Sequence, residues 1–113
     1  MVTVEDVRRV VAPLPRSTEH LIRDRVKFRV GQIVYVAFSR DETIMGFGYP
    51  KHERDALIAS ATDVFELPGT GDMRFHWVHA RMAALDPDEM RELVLDAWRM
   101  VVPKKVARAH LGD

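Results

Sequence analysis

Apolar positions near the N-terminus follow the spacing of a helix and then change to the spacing of a strand. Thr3 and Asp6 form a capping box, and valines recur every three or four residues after it, which predicts a helix over residues 4–12. Apolar and basic residues alternate over residues 25–30, so we predict a strand with one apolar and one basic face. Residues 31–32, Gly-Gln, are predicted to form a hairpin turn.

The rest of the chain alternates strand patterns with helical ones. Residues 33–38 are apolar on both faces, which favours a central strand covered by helices on one side and at least partly on the other. Asp86 starts the clearest helix, with proline next and glutamate three residues on, and Trp98 is predicted to anchor that helix in the core. We also predict strands over residues 43–48, 65–67 and 74–82, and helices over residues 50–60 and 103–111. The order α-βββ-α-ββ-αα predicts an α+β fold, an antiparallel sheet with helices packed on one face.

Composition narrows the class of protein. The chain has 113 residues, 47% hydrophobic and 30% charged, which predicts a single domain over residues 1–113. It has no cysteine, so disulfides and thiol catalysis are excluded. No apolar run is long enough for a membrane span, and the N-terminus lacks the order of a signal peptide. We therefore expect a cytoplasmic protein with no membrane partner.

Candidate catalytic and metal-binding groups do not assemble into a site in the sequence. The pairs Gly46-x-Gly48 and Gly69-x-Gly71 do not continue as a phosphate-binding loop and are interpreted as a tapering strand and a surface loop. His76 and His79 are three apart on a predicted strand, which places their imidazoles on opposite faces. No serine lies in a nucleophile-elbow context. We expect no enzyme activity, no metal site and no cofactor.

Basic residues are concentrated in two zones although the net charge is zero. Arg25, Lys27 and Arg29 project from one face of a strand, at a spacing close to that of successive phosphates in DNA. The second zone lies at the end of the chain and contains Lys104, Lys105 and Arg108. The leading hypothesis is weak, largely non-specific binding of duplex DNA through these six residues.

The alternative hypothesis belongs to a different class of function. The sheet face with Trp77 and His79, rimmed by Arg81, would receive a protein partner or a small ligand without catalysis, because tryptophan and arginine are enriched at binding hot spots.

The combination of several motifs is similar to the MmcQ/YjbR family. The matching segments are His76-Trp77-Val78, residues 85–90, 95–99 and 102–105, and the hairpin arm over residues 26–31. The resemblance covers about residues 3–111. It implies a CyaY-like α+β fold, a bacterial origin, and DNA binding by a double wing of hairpins, for which Lys27, Arg29, Lys104 and Lys105 are the basic positions carried over.

Overall fold

The structure is a computed structural model that describes residues 1–112. Its helices are α1 (Val4–Val11), α2 (Arg54–Ser60), α3 (Pro87–Arg99) and α4 (Lys104–Leu111), with a 3-10 turn at Thr70–Asp72. Its strands are β1 (Ser17–Ile22), β2 (Arg25–Val30), β3 (Ile33–Phe38), β4 (Ile44–Gly48), β5 (Phe65–Glu66) and β6 (Trp77–Arg81). None of the helices in the described part of the chain is long and apolar enough to cross a bilayer.

The six strands form one antiparallel sheet in the order β1-β2-β3-β4-β6-β5. One face carries the core, where Phe28, Val36, Phe47 and Val78 are fully buried. Helix α3 lies against β3 and β4 and also packs on α1. The α+β prediction, with an antiparallel sheet and helices on one face, is therefore confirmed.

Trp98 anchors α3 in this core, as predicted. Its side chain is completely buried, and its indole Nε1 donates a hydrogen bond of 3.0 Å to the carbonyl oxygen of Pro15. The imidazole of His110 in α4 packs edge-on against the same indole. Trp98 thus joins α3 to the segment before β1 and to α4.

Strand β1 was not predicted and is the main addition to the sequence-based topology. It lies at the edge of the sheet and pairs with β2 along its whole length, from Ser17 opposite Val30 to Ile22 opposite Arg25. The turn between the two strands consists of Arg23 and Asp24, both at positive φ. This two-residue turn suits the twist of a hairpin, and aspartate tolerates positive φ, but arginine at the other position is not typical of such turns.

An ion pair fastens β1 to α1. Nε and Nη2 of Arg8 each lie 2.8 Å from a different carboxylate oxygen of Glu19. The hydrogen bonds from Arg8 hold the pKa of Glu19 below its ordinary value. The edge strand is therefore held both by the β2 ladder and by a side-chain contact to the helix layer.

Two predicted boundaries are wrong. Helix α2 begins at Arg54 rather than at Pro50, since residues 50–53 form a turn in which the N–H of Glu53 bonds the carbonyl of Pro50. Strand β6 begins at Trp77 rather than at residue 74, because carbonyls before it accept hydrogen bonds from Arg54.

Candidate ligand-binding site

The sheet face on which Lys27 and His79 lie, here called the open face, contains a row of four aligned residues. The strand register places Lys27 of β2 opposite Ala37 of β3, Ala37 opposite Gly46 of β4, and Gly46 opposite His79 of β6. The two central positions have the smallest side chains, and the two outer positions have long or bulky ones. This arrangement produces a trough across the sheet.

The trough is a cavity with a volume of about 800 Å³. Tyr35, Ala37, Gly46 and Gly48 are among its floor positions, and Ala97, Met100 and Val101, from the end of α3 and just beyond it, close one end. Three exposed apolar side chains line it: Ile33 (56% exposed), Phe75 (49%) and Met100 (44%). An apolar face left this open to solvent is typical of a site that receives another molecule.

The indole of Trp77 reaches from β6 across to β4. A Cβ atom built on Gly46 would lie 2.6 Å from Nε1, 2.8 Å from Cζ2 and 2.9 Å from Cε2 of that indole. These distances are shorter than any ordinary van der Waals contact, so the glycine is required for the indole to lie here. Trp77 is half-buried and lines the cavity.

Two of the predicted basic residues form the opposite side of the cavity. Arg25 and Lys27 both line it. Within residues 1–112, neither side chain has a hydrogen bond or an ion pair. A cation without a carboxylate partner beside an apolar cavity is available to an anionic ligand.

Arg29, the third basic residue of β2, has a different environment. It is partly buried, its Nη2 lies 3.1 Å from both ring nitrogens of His20, and its Nε is buried without a hydrogen-bond partner in the described chain. It does not line the cavity. Arg25 and Lys27 are therefore available to a ligand in the cavity, whereas Arg29 is not.

Both His76 and His79 line the cavity, so the prediction that they lie on opposite faces is wrong. His76 precedes β6 and is held by its Nδ1, which accepts a hydrogen bond of 3.0 Å from the N–H of Lys51. His79 is on the strand and half-buried. Burial lowers the pKa of His79, against the smaller raising effects of Glu66 and Asp72. At neutral pH His79 is therefore mostly uncharged and can both donate and accept a hydrogen bond.

Arg54 holds the cavity wall that contains these groups. Its guanidinium is buried, and it donates hydrogen bonds to the carbonyls of Met73, Phe75 and Trp77 at 3.0 to 3.2 Å. The carbonyls of Met73 and Phe75 lie outside the β6 ladder, which begins at Trp77, so Arg54 supplies them with donors that the ladder does not. Helix α2 thus fixes the position of the wall through one side chain.

Arg81, predicted as the rim of the same face, is already paired. Its Nη2 lies 2.6 Å from a carboxylate oxygen of Glu66, and its Nη1 donates to the carbonyl of Thr62. It does not line the cavity. Among the residues that the structure describes, Asp72 is the carboxylate that lines the cavity.

A model of the YjbR family matches residues 12–100, which include all six strands and both α2 and α3. The chain belongs to the YjbR family. The crystal structure of Deinococcus radiodurans protein DR2400, described as a DUF419 domain, has the same fold, with a TM-score of 0.80 and 22% sequence identity over 99% of this chain and 89% of that chain. No curated protein matches the chain.

In this YjbR domain the residues of the second basic zone do not line the cavity. Lys104, Lys105 and Arg108 are exposed on α4, and none of them is a lining residue. The described part of α4 contacts the core through His110, whose imidazole packs against Trp98. Of the six predicted DNA-binding residues, Arg25 and Lys27 therefore line the cavity and the other four do not.

Proposed function

We propose that this YjbR domain binds a small organic anion with an apolar body in the cavity of the open face. The observation that carries the proposal is the combination of a cavity of about 800 Å³ with two unpaired cations, Arg25 and Lys27, on one side of it. Ligand sites in proteins typically have about 300–1,000 Å³, mostly apolar walls and a few converging polar groups. The proposed role is binding, with no chemical step.

The charges of the lining residues indicate the charge of the ligand. Arg25 and Lys27 contribute two positive charges, and Asp72 contributes one negative charge. A monoanion, such as a carboxylate or sulfonate, would compensate the remaining charge. Lys27 is partly buried beside the apolar floor, so its hydrogen bond to such an anion is better shielded from water than that of the exposed Arg25.

The strand order sets the length of the ligand. Strands β2 and β6 are separated by three inter-strand gaps, because β3 and β4 lie between them. At about 4.8 Å per gap, their backbones are about 14 Å apart. A molecule the size of a short-chain or single-ring acid can therefore contact Lys27 at one end and the β6 wall at the other.

Isothermal titration calorimetry with octanoate and 3-phenylpropanoate tests this proposal. We expect saturable one-site binding of at least one of these acids. The double variant Arg25→Ala/Lys27→Ala should lower the affinity by about tenfold or more, because each charged hydrogen bond contributes about 1.5–3 kcal/mol. Lys104→Ala/Lys105→Ala removes the same charge outside the cavity and should leave the affinity unchanged. The proposal is wrong if neither acid saturates the protein at millimolar concentration, or if both double variants have the same effect.

Weak binding of duplex DNA is a second candidate, which the exposed cations of α4 favour. Lys104, Lys105 and Arg108 have no ion pair within residues 1–112, and Lys104 and Arg108 are four apart on one helix face. If these and the β2 cations together contact about four phosphates, the affinity should fall with salt at a log–log slope of about −3 to −4. Fluorescence anisotropy on a labelled duplex measures this slope. Unchanged binding by Lys27→Glu/Arg29→Glu would exclude the β2 surface.

A further inference from the structure

The two sides of the cavity differ in chemistry. The β6 side carries two aromatic side chains, Phe75 and Trp77, with the imidazoles of His76 and His79 beside them. The β2 side carries Arg25 and Lys27. Between them the floor has no side chain larger than a methyl group at Ala37 and Gly46. A bound molecule is therefore oriented, with one end against aromatic rings and the other against cations.

Contacts within the protein hold the indole of Trp77 and the backbone at Phe75. The indole of Trp77 lies against β4 at Gly46, and the carbonyls of Phe75 and Trp77 are fixed by Arg54. The guanidinium of Arg74 lies 4.8 Å from the centre of the Phe75 ring, which covers one side of that ring. Rings whose positions are fixed before binding lose little conformational freedom when a ligand packs on them.

We propose that the ligand of this site is an aromatic acid, whose ring packs against Trp77 and Phe75 and whose anionic group binds Arg25 and Lys27. This inference rests on the proposed function and names the class of anion. Contacts between aromatic rings contribute beyond the area that they bury, because ring edges and ring faces carry opposite partial charges. His79, uncharged at neutral pH, adds a polar group beside the ring without repelling or neutralising the acid.

Two acids of equal charge and chain length separate aromaticity from hydrophobicity. The probes are 3-phenylpropanoate and 3-cyclohexylpropanoate, measured by isothermal titration calorimetry. Burial of apolar area alone would favour the cyclohexyl compound or leave the two equal. An aromatic wall should instead favour the phenyl compound by about three- to tenfold. The neutral 3-phenylpropanamide should bind at least tenfold more weakly than the phenyl acid, because it lacks the anionic group.

Variants of the wall assign the preference to its residues. Phe75→Leu and Trp77→Leu should each reduce the ratio of the two affinities towards one, while the affinity for 3-cyclohexylpropanoate changes by less than about twofold. Phe75 is 49% exposed, so Phe75→Leu tests the wall even if Trp77→Leu does not fold. Leu67→Ala, at a side chain 47% exposed outside the cavity, is the control and should keep the preference.

The outcomes distinguish this inference from the proposed function. If both acids bind with equal affinity, or the cyclohexyl acid binds more tightly, the aromatic class is wrong and the anion site stands. If neither acid binds, both proposals fail. A phenyl preference that survives both wall variants would also overturn the inference, because the ring would then lie elsewhere.

Discussion

Replacing Gly46 by alanine should displace the indole of Trp77. The new Cβ would lie 2.6 Å from Nε1 of that indole, whereas unstrained contacts between heavy atoms in proteins lie at about 3.5–4.0 Å. The indole must therefore retreat by about 1 Å or rotate away from β4. Overpacking of this kind costs about 1–3 kcal/mol, and the gain of alanine over glycine in a strand offsets up to about 1 kcal/mol of it.

Urea denaturation and tryptophan fluorescence together measure the effect. In a Trp98→Phe background, Trp77 is the remaining emitter, so acrylamide quenching reports its exposure. We expect Gly46→Ala to lower the unfolding midpoint and to increase quenching. Gly69→Ala is the matched control, because no atom lies within 4 Å of the Cβ position at Gly69 and that glycine has no positive φ.

A second background separates the clash from other effects of the substitution. In Trp77→Leu the indole is gone, so adding Gly46→Ala should be neutral or slightly stabilising. If Gly46→Ala is equally destabilising with and without the indole, Trp77 does not lie against β4 and the wall of the cavity is wrongly described. An unchanged midpoint together with unchanged quenching would refute the reasoning equally.

Three further changes test other parts of the structure. Trp98→Ala should lower the free energy of unfolding by about 3–5 kcal/mol, because it leaves a cavity in the core. Lys104→Ala, at an exposed side chain, should change the free energy of unfolding by less than about 0.5 kcal/mol. Equal urea midpoints for the two variants would place Trp98 outside the core. Arg54→Met should cost about 2–4 kcal/mol, because three wall carbonyls lose a charged donor, and wild-type stability in this variant would contradict that role. Burial raises the pKa of Tyr35 from 10.0 to about 12, against the smaller effect of its hydrogen bond with Ser17. The stability linked to this proton is complete below pH 10.0 and is lost as the pH rises through about 12, so Tyr35→Phe should flatten the alkaline fall of the unfolding midpoint; parallel curves would exclude the assignment.

Elements with one buried apolar face could be predicted from the sequence, and β1 could not. In β2, apolar residues alternate because Phe28 and its neighbours pack on the core side of the sheet. In β1 the apolar residues are Leu21 and Ile22, which are adjacent and exposed. Because β1 is held by backbone pairing and an ion pair, its sequence does not need the alternation of apolar and polar residues by which strands are predicted.

Two sequence patterns near the cavity each have two explanations. Alternating Gly46 and Gly48 in a strand fit a weak strand end, but glycine in a strand also marks close approach of another group. A strand that is apolar on both faces, such as β3, fits cover by helices, but Ile33 and Ala37 of β3 line the cavity. Neither pattern distinguishes its two explanations without the positions of neighbouring strands.

The sequence alone does not predict that residues of the two hypotheses, DNA binding and ligand binding, line the same cavity. Lys27 and His79 belonged to separate hypotheses and lie 52 positions apart in the chain. They share a row because β3 and β4 pair in a particular register between them. Register depends on turns and on a bulge between β2 and β3 at Phe28, which local residue patterns do not predict.

The charged side chains of β1 have a consequence for how copies of this domain meet at high concentration. An outer strand offers unpaired backbone donors and acceptors on which a second sheet could grow. The hairpin tip adds to that hazard, since Leu21 is 71% exposed. A strand arriving at this edge would have to approach Glu19 and the Arg8 side chain bound to it, and desolvating that pair is costly. The ion pair between Arg8 and Glu19, which joins α1 to β1, therefore also disfavours the pairing of a second sheet with this edge strand.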